Sequence, residues 1–595
     1  MSTVDPIKKI LALAKKDPVL NEALSVWQSA SVHMNLSGMV DMQKAYFVMA
    51  MAAAAEGSQK DAPIPVVIVS DELKARTMKN GMECFTNREV LVLRGREVSL
   101  SSITASSREI EHGRLRTLVK LMNGEAGGLI ITAGAWLTKM MPYQEFISSS
   151  VTLRIGKHVT PEDLALRLVG LGYERTRSVE GVGEFAGRGD IIDVFPAGHE
   201  YGVRISFFDD EIDQIKYFDV HSQRSEEQLQ EITFYPAREI LLNEKTRAKL
   251  SQTILQEGEK TKKTAVANGA SRDLVDNITR SYQKDSDTIS GTGSLAGLER
   301  WVSLIYPNAV SILSYIKNTN VILFVDELLM VKSRMDGVMA DFMARYKTAL
   351  EKGQVLPTTG ETLWRRPDLF REIDGVANAL TLSTLASSGN GLPGGKSLSI
   401  MGRESSSFRS HEDALIKTIK ERQKEKMTTV LMTGGGAREE NLRKMLLENH
   451  ALPEVYPYNL SSGFEYPTIG LLVIGSQDLF GIDRGVKKKR RKGMKIDLFS
   501  DLVPGELVVD DENGVGRYDG LVNLITDGVK RDYLQITYAG DDRLYIPMDR
   551  LDQIQKYVAS DGREPKLARL GSQEWHRSVE RAKSTIHKMA IDLVA

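Results

Sequence analysis

Two stretches of this chain have residue types and spacing suited to holding a nucleotide. A phosphate-binding loop needs glycines at its first and sixth positions so that backbone N–H groups can close on phosphate. A lysine for the terminal phosphates and a hydroxyl for magnesium must follow. Gly38-Met-Val-Asp-Met-Gln43-Lys44-Ala45 keeps that spacing. Gln43 stands where the second glycine belongs and keeps the backbone away from phosphate, because only glycine lets the main chain come that close. Ala45 has no hydroxyl for magnesium, and Asp41 puts a negative charge in the loop. The run NVILFVDE, ending in Asp326 and Glu327, has the form of the strand whose carboxylates serve magnesium-bound nucleotide, and without that nucleotide the pair has nothing to act on. The expectation is a decayed site that turns over no nucleotide. Reading 38–45 as a plain loop and helix start leads to the same expectation. The GGKS at 394–397 is not such a loop: Asn390 stands where the first glycine should be, and SLSIMGRESSS is a poor helix former.

A second constellation suits binding rather than catalysis. Arg188 lies between Gly187 and Gly189, on a turn where a side chain projects, and Arg204 and Phe208 are four apart, so one strand presents both on one face. Two arginines and an aromatic on one surface make a partner-binding hot spot. The residues alone allow equally that Phe208 is core and that the arginines form surface ion pairs worth little. Leu524 follows the GRYDGL turn, where an exposed apolar side chain anchors a partner. The run Lys487, Lys488, Lys489, Arg490, Arg491 and Lys492 reads as a solvated linker or as a contact to the DNA backbone. The nine histidines show no metal spacing, no G-x-S-x-G elbow occurs, and Cys84 is the only cysteine, so a disulfide or a cysteine-based metal site within the chain is excluded. No metal and no cofactor are expected.

The elements that must position these residues are mixed. Lys plus Arg number 78 against 79 for Asp plus Glu, so the chain as a whole is not a basic nucleic-acid glove. The apolar run from Ala45 to Ala55 is too short for a bilayer and reads as a buried helix; the expectation is a cytoplasmic monomer with no membrane contact. The runs PVVIVS, EVLVL and GLIIT alternate with helical stretches such as Arg108 to Met122, the pattern of a parallel sheet covered by helices. After Val151 the texture becomes a compact α+β insert. Its helix begins with a Thr160 cap, Pro161 and Asp163, and strand-like runs follow at 183–185, 190–195, 201–209 and 214–219. A polar helical region with the single buried-type strand at 320–325 comes next, then a loop expected at 387–399 and a second α/β unit with strands at 428–433 and 469–475. Strands at short turn spacing over 496–560 suggest a small barrel, and the last residues have helical periodicity.

Two passages carry a resemblance. GYERTRSVEGVGEFAGRGDIIDVFPAG followed by VRISFFDDEIDQIKYFDVHSQRS, within Leu164 to Ser225, resembles the UvrB-homology module of the bacterial transcription-repair coupling factors, the Mfd family. GVGRYDGL, DYLQITYAGDDRLYIPMDRLDQIQKY and KLARLGSQEW, within Leu507 to Trp575, resemble the CarD-like RNA-polymerase-interacting domain of the same family, in the same order.

The resemblance implies a multidomain α/β protein. Its expected parts are a degenerate RecA/UvrB-like α/β domain (1–149 and 237–365) interrupted by a UvrA-binding insert (150–236), a small α/β domain (366–482), a basic linker (483–495), a Tudor/SH3-like β-barrel (496–562) and a helical connector (563–595). It implies that Arg188, Arg204 and Phe208 bind UvrA and that Leu524 binds the RNA polymerase β subunit. Gly38, Gln43, Lys44, Ala45, Asp326 and Glu327 then form the inactive nucleotide site. The family usually has histidines where this chain has Asp510 and Asn513. The expected function is an adaptor in transcription-coupled DNA repair, touching DNA weakly. The ATP- and magnesium-dependent translocase motor of the family is expected to be absent. A CarD-type initiation regulator and a UvrB-like ATPase are the alternatives.

Overall fold

The strands Ile64–Val69 (IPVVIV) and Val321–Asp326 (VILFVD) are buried along their whole length, which is how a strand covered on both faces must read. In the computed structural model they form the middle of a seven-stranded sheet. Its strands are β1 (Met34–Ser37), β2 (Ile64–Val69), β3 (Val90–Leu93), β4 (Gly128–Thr132), β13 (Val321–Asp326), β14 (Leu380–Ser383) and β15 (Lys396–Ser399), in the order β15-β1-β14-β13-β2-β4-β3. Every pairing in it is parallel. The chain divides into two compact units, residues 1–483 and 484–595. The structure describes residues 6–29, 32–56, 63–96, 98–100, 108–220, 223–292, 297–317, 319–376, 379–386, 391–409, 411–481, 494–495, 505–510, 514–526, 529–540, 542–547, 554–556 and 567.

The sheet corrects two expectations. It continues past residue 365 through β14 and β15, so the first α/β layer ends beyond Ser399. The segment expected to be loop supplies β15, which pairs parallel with β1 from Met34↔Lys396 to Ser37↔Ser399. An edge strand exposing Lys396 and Ser397 has no apolar alternation to announce it.

The insert enters through β5 (Val151–Arg154) and returns through β12 (Glu231–Phe234), which pair antiparallel from Val151↔Phe234 to Arg154↔Glu231. Between them lie the helix Pro161–Gly170 and a six-stranded sheet made of β6 (Glu174–Arg175), β7 (Glu184–Arg188), β8 (Ile191–Val194), β9 (Gly202–Phe208), β10 (Glu211–Phe218) and β11 (Ser225–Leu229), in sequential order. The helix starts where the sequence places it: Thr160 Oγ1 accepts the Asp163 N–H at 3.1 Å and Pro161 opens the first turn. Val203, Ile205 and Phe207 face its core with Val194, Ile212 and Ile215.

An ionic joint ties the insert to the helix Arg108–Met122 of the first sheet. Arg108 and Arg238 both reach Glu174, at 2.6 and 3.0 Å; Arg238 also reaches Glu111 at 3.1 Å. Behind them Glu239 accepts from Arg96 and Arg114 at 2.6 and 2.5 Å. Arg114 and Glu239 are buried at this joint.

A five-stranded sheet completes the first unit. It comprises β16 (Arg403–Glu404), β17 (Thr428–Met432), β18 (Glu454–Tyr456), β19 (Phe464–Tyr466) and β20 (Leu471–Ile474), in the order β16-β19-β20-β17-β18. The helix Asp41–Glu56 is buried on nearly all sides, with Tyr46 meeting Phe85 from the first layer and Phe464 and Tyr466 from the second. In the second unit, β21 (Met494–Lys495), β22 (Leu507–Asp510), β23 (Gly514–Thr526), β24 (Val529–Thr537), β25 (Arg543–Pro547) and β26 (Ile554–Lys556) form an antiparallel sheet in the order β21-β26-β22-β23-β24-β25. Met494 and Lys495, expected to be linker, pair with Lys556 and Gln555. Lys487 to Lys492, Asn513 and the expected terminal helix lie outside the described residues.

Candidate functional site

The phosphate-loop spacing places Gly38 at the turn after β1 and Lys44 in the first turns of the helix Asp41–Glu56, the right location for a cradle at the carboxyl edge of a parallel sheet. The cradle is filled from within. Lys44 is fully buried, and its Nζ lies 2.8 Å from Asp326 Oδ1 and 2.6 Å from Glu327 Oε1. Burial works against the Lys44 ammonium, but these two carboxylates outweigh it and hold the group above the ordinary lysine range. Asp41 accepts from Lys74 at 2.7 Å instead of repelling phosphate, and Lys74 comes within 3.8 Å of Asp326. Lys74 is a member of this cluster that spacing alone did not single out.

The backbone around the cluster is also committed. Gly38, at φ +93°, gives its N–H to the Ser383 carbonyl at 3.0 Å, and Ile400 donates to the Ser37 carbonyl at 2.8 Å, which lays the end of β15 across the turn. Gln43 is fully buried, with its Nε2 directed at the Met401 carbonyl at 3.4 Å. Ala45 is fully buried and packs on Gly81, so position 45 offers no hydroxyl and no exposed surface to a magnesium ion. Glu327 takes the left-handed conformation at φ 49°, unusual for a glutamate and costing roughly 1–2 kcal/mol. It is held there by its N–H to the Leu382 carbonyl and by its carboxylate, which accepts the Thr384 N–H at 2.7 Å. The sequence-predicted residues thus come together, but as a closed salt-bridge cluster.

The second constellation is open. On β9 the core-facing residues are Val203, Ile205 and Phe207, so Arg204, Ser206 and Phe208 face outward. Phe208 is 79% exposed, contrary to its reading as core. Register places the rest: Arg188 pairs with Ile191, and Ile191 with Ser206, so these stand in one row across the outer face. Arg204 follows the ion-pair reading in part. Its Nε and an NH2 donate to the two Asp193 oxygens at 2.7 and 2.8 Å, and its guanidinium lies 4.8 Å from the Phe218 ring centroid. A bidentate, ring-backed arginine is rigid. Arg188 is exposed, donates to the Arg177 carbonyl at 2.9 Å and makes no ion pair among the described residues. Sequence reasoning missed Asp193 and Ile191; the alternation within IIDVF was the available signal.

In the second unit Leu524 lies on β23, paired with Arg531 of β24. The expected GRYDGL turn is instead a bulge at Tyr518–Gly520 within the single strand β23. β22 covers β23 only from Gly514 to Arg517, so beyond the bulge the other edge of β23 has no strand partner among the described residues. Asp510 pairs with Gly514 and Ile554. Among the described residues no helix is long and apolar enough to cross a membrane, and no group of three or more His, Cys, Asp or Glu is placed to hold a metal.

Comparison with known proteins matches both regions. Residues 151–240 match the family model of the UvrB interaction domain, and residues 502–558 that of the CarD-like/TRCF RID domain. The chain is 30% identical over 529 residues to the transcription-repair-coupling factor of Bacillus subtilis (strain 168), covering 85% of this chain and 44% of that protein. It is 27% identical over 521 residues to the transcription-repair-coupling factor of Staphylococcus aureus (strain MRSA252), covering 84% and 43%. The chain therefore spans less than half the length of these curated relatives.

Proposed function

We propose, on the premise that this chain is a relative of the transcription-repair-coupling factors, that it acts as an adaptor in transcription-coupled repair. In this reading the outer face of the insert recruits UvrA, and the second unit grips the RNA polymerase β subunit. Movement along DNA with ATP and magnesium belongs to the part of the relatives that this chain does not span. The degenerate RecA-like and Tudor-like identities of the two regions are part of the same reading.

The observation that carries it is the outer face of β7, β8 and β9. An aromatic at 79% exposure on the same sheet face as an arginine that makes no ion pair among the described residues is a poor arrangement for a surface facing only water and a good one for a protein partner. The stretch of β23 with no strand partner on one edge among the described residues supports the polymerase half, because such an edge accepts a strand from a partner and Leu524 lies on it. The closed Lys44 cluster supports an adaptor over a UvrB-like ATPase. The CarD-like match keeps one competitor, an initiation regulator, which differs by preferring promoter complexes to stalled elongation complexes.

The test is titration of purified UvrA and RNA polymerase with the 595-residue chain and its variants. Phe208→Ala should weaken UvrA binding roughly thirtyfold, and Arg188→Glu with Arg204→Glu should abolish it, while both still bind polymerase. Leu524→Asp should lose polymerase and retain UvrA. Unchanged UvrA binding by the folded arginine double variant removes the insert from the proposed role.

A further inference from the structure

We propose that Ile191 is the apolar centre of the insert's docking face, and that with Arg188 it reads a partner surface where a carboxylate lies beside an apolar pocket. This rests on the reading of the insert as a UvrA-binding module and goes beyond it by naming a contact residue and the chemistry it selects.

The geometry comes from strand register. Ile191 opens β8, directly opposite Arg188 on one side and Ser206 on the other. Residues directly opposite in antiparallel strands point to the same face, so Ile191 projects between Arg188 and the β9 row that carries Arg204, Ser206 and Phe208. Its neighbour Ile192 faces the core at 2% exposure, while Ile191 is 39% exposed. A β-branched aliphatic suits a strand, but that alone does not account for an isoleucine on the outer face, whose row is otherwise the polar Arg188, Ser206 and Gln214. Phe208 lies two residues along β9 from Ser206, so the two exposed apolar side chains are diagonal neighbours across one strand pair.

The electrostatics choose the partner. Arg204 is already neutralised by Asp193, so it acts as a fixed strut against Phe218 and brings little uncompensated charge to the surface. Arg188 has only the Arg177 carbonyl and no carboxylate among the described residues. The uncompensated charge therefore sits directly beside Ile191. A partner that buries Ile191 buries Arg188 as well, and a buried guanidinium must meet a carboxylate. This separates the three arms of the face: Arg188 for charge, Ile191 and Phe208 for apolar burial, and Arg204 for shape.

The experiment measures UvrA affinity for the full chain with Ile191→Val, Ile191→Thr and Ile191→Lys, each checked by thermal unfolding. Threonine and valine keep the β-branch, so the strand is retained. Valine should bind like isoleucine, threonine about tenfold more weakly, and lysine more weakly still, with unfolding temperatures unchanged. A benzophenone side chain at position 191 should cross-link to UvrA, which decides the matter if a variant fails to fold. If the unsubstituted chain does not bind UvrA, the adaptor reading itself falls. If it binds and the folded threonine and lysine variants bind equally well, or the cross-linker at 191 captures no UvrA, the assignment of Ile191 is wrong while the adaptor reading stands.

Discussion

The edge of the first sheet and the outer face of the insert contain the same kinds of residue, cations beside carboxylates, and use them in opposite ways. At the carboxyl edge of the sheet Lys44 is held by Asp326 and Glu327 and Lys74 by Asp41, with Lys44 and Asp326 out of contact with water and the second Asp326 oxygen left without a hydrogen bond. On the insert's outer face the ion pair of Arg204 with Asp193 fixes the surface, while Arg188, Ile191 and Phe208 remain exposed. The first cluster is closed by its own side chains; the second face keeps apolar area and a charge exposed. The lesson is that motif spacing reports where a site is, whereas the satisfaction of its polar groups reports whether it still receives anything from outside.

The comparison breaks most easily at Lys44. Lys44→Met removes the ammonium and leaves Asp326 buried next to Glu327, so denaturant unfolding should show a loss of about 3–5 kcal/mol. A loss below about 1 kcal/mol would mean that water or another cation reaches the carboxylates and that the site is open. The next effect lies at the joint between the two regions. His112 sits among Glu111, Glu174, Arg108 and Arg238, and burial brings its pKa down to about 4, with the two arginines reinforcing the shift and the carboxylates opposing it. The unfolded chain holds a proton on this residue below about pH 6.5, and the folded chain refuses it until about pH 4. The stabilisation is therefore complete above about pH 6.5 and is lost as pH falls toward 4, by up to about 3 kcal/mol. Glu111 and Glu174, both held below the usual range despite burial, add their own losses only near and below the ordinary carboxylate pKa. Unfolding measured across that window should slope, and His112→Gln should flatten the slope.

Local features were legible in the sequence, and long-range pairings were not. Thr160, Pro161 and Asp163 announce a helix start because the whole cap lies within one turn. The buried strands at 64–69 and 321–326 read directly from their apolar runs. Spacing located Lys44, but its destination lies 282 residues along the chain, and nothing local shows that Asp326 and Glu327 take it. β15 was missed because an exposed edge strand carries no alternation, and its partner β1 is far away in sequence. Period-two spacing put Arg204 and Phe208 on one face, but the adjacent aromatics Phe207 and Phe208 left open which of them enters the core; the pairing with β8 and β10 decides it.

The smallest expected effect sharpens the comparison most. Gln43→Gly with Ala45→Ser rebuilds the phosphate-loop pattern on paper, and titration with ATP and magnesium should still give no saturable heat. Three features stand in the way. Lys44 remains held by Asp326 and Glu327, and releasing it for phosphate would take the hydrogen-bonded cation from the buried Asp326. The Gly38 N–H stays engaged by the Ser383 carbonyl, with the end of β15 tied across the turn by the bond between Ile400 and Ser37. Position 45 is fully buried against Gly81, between two helices, so a hydroxyl placed there is shut off from a magnesium ion arriving from solvent. Saturable binding by the folded double variant would show that the two substitutions alone had silenced the site. The closed cluster would then be a consequence of an empty pocket, and the contrast with the insert would reduce to two side chains.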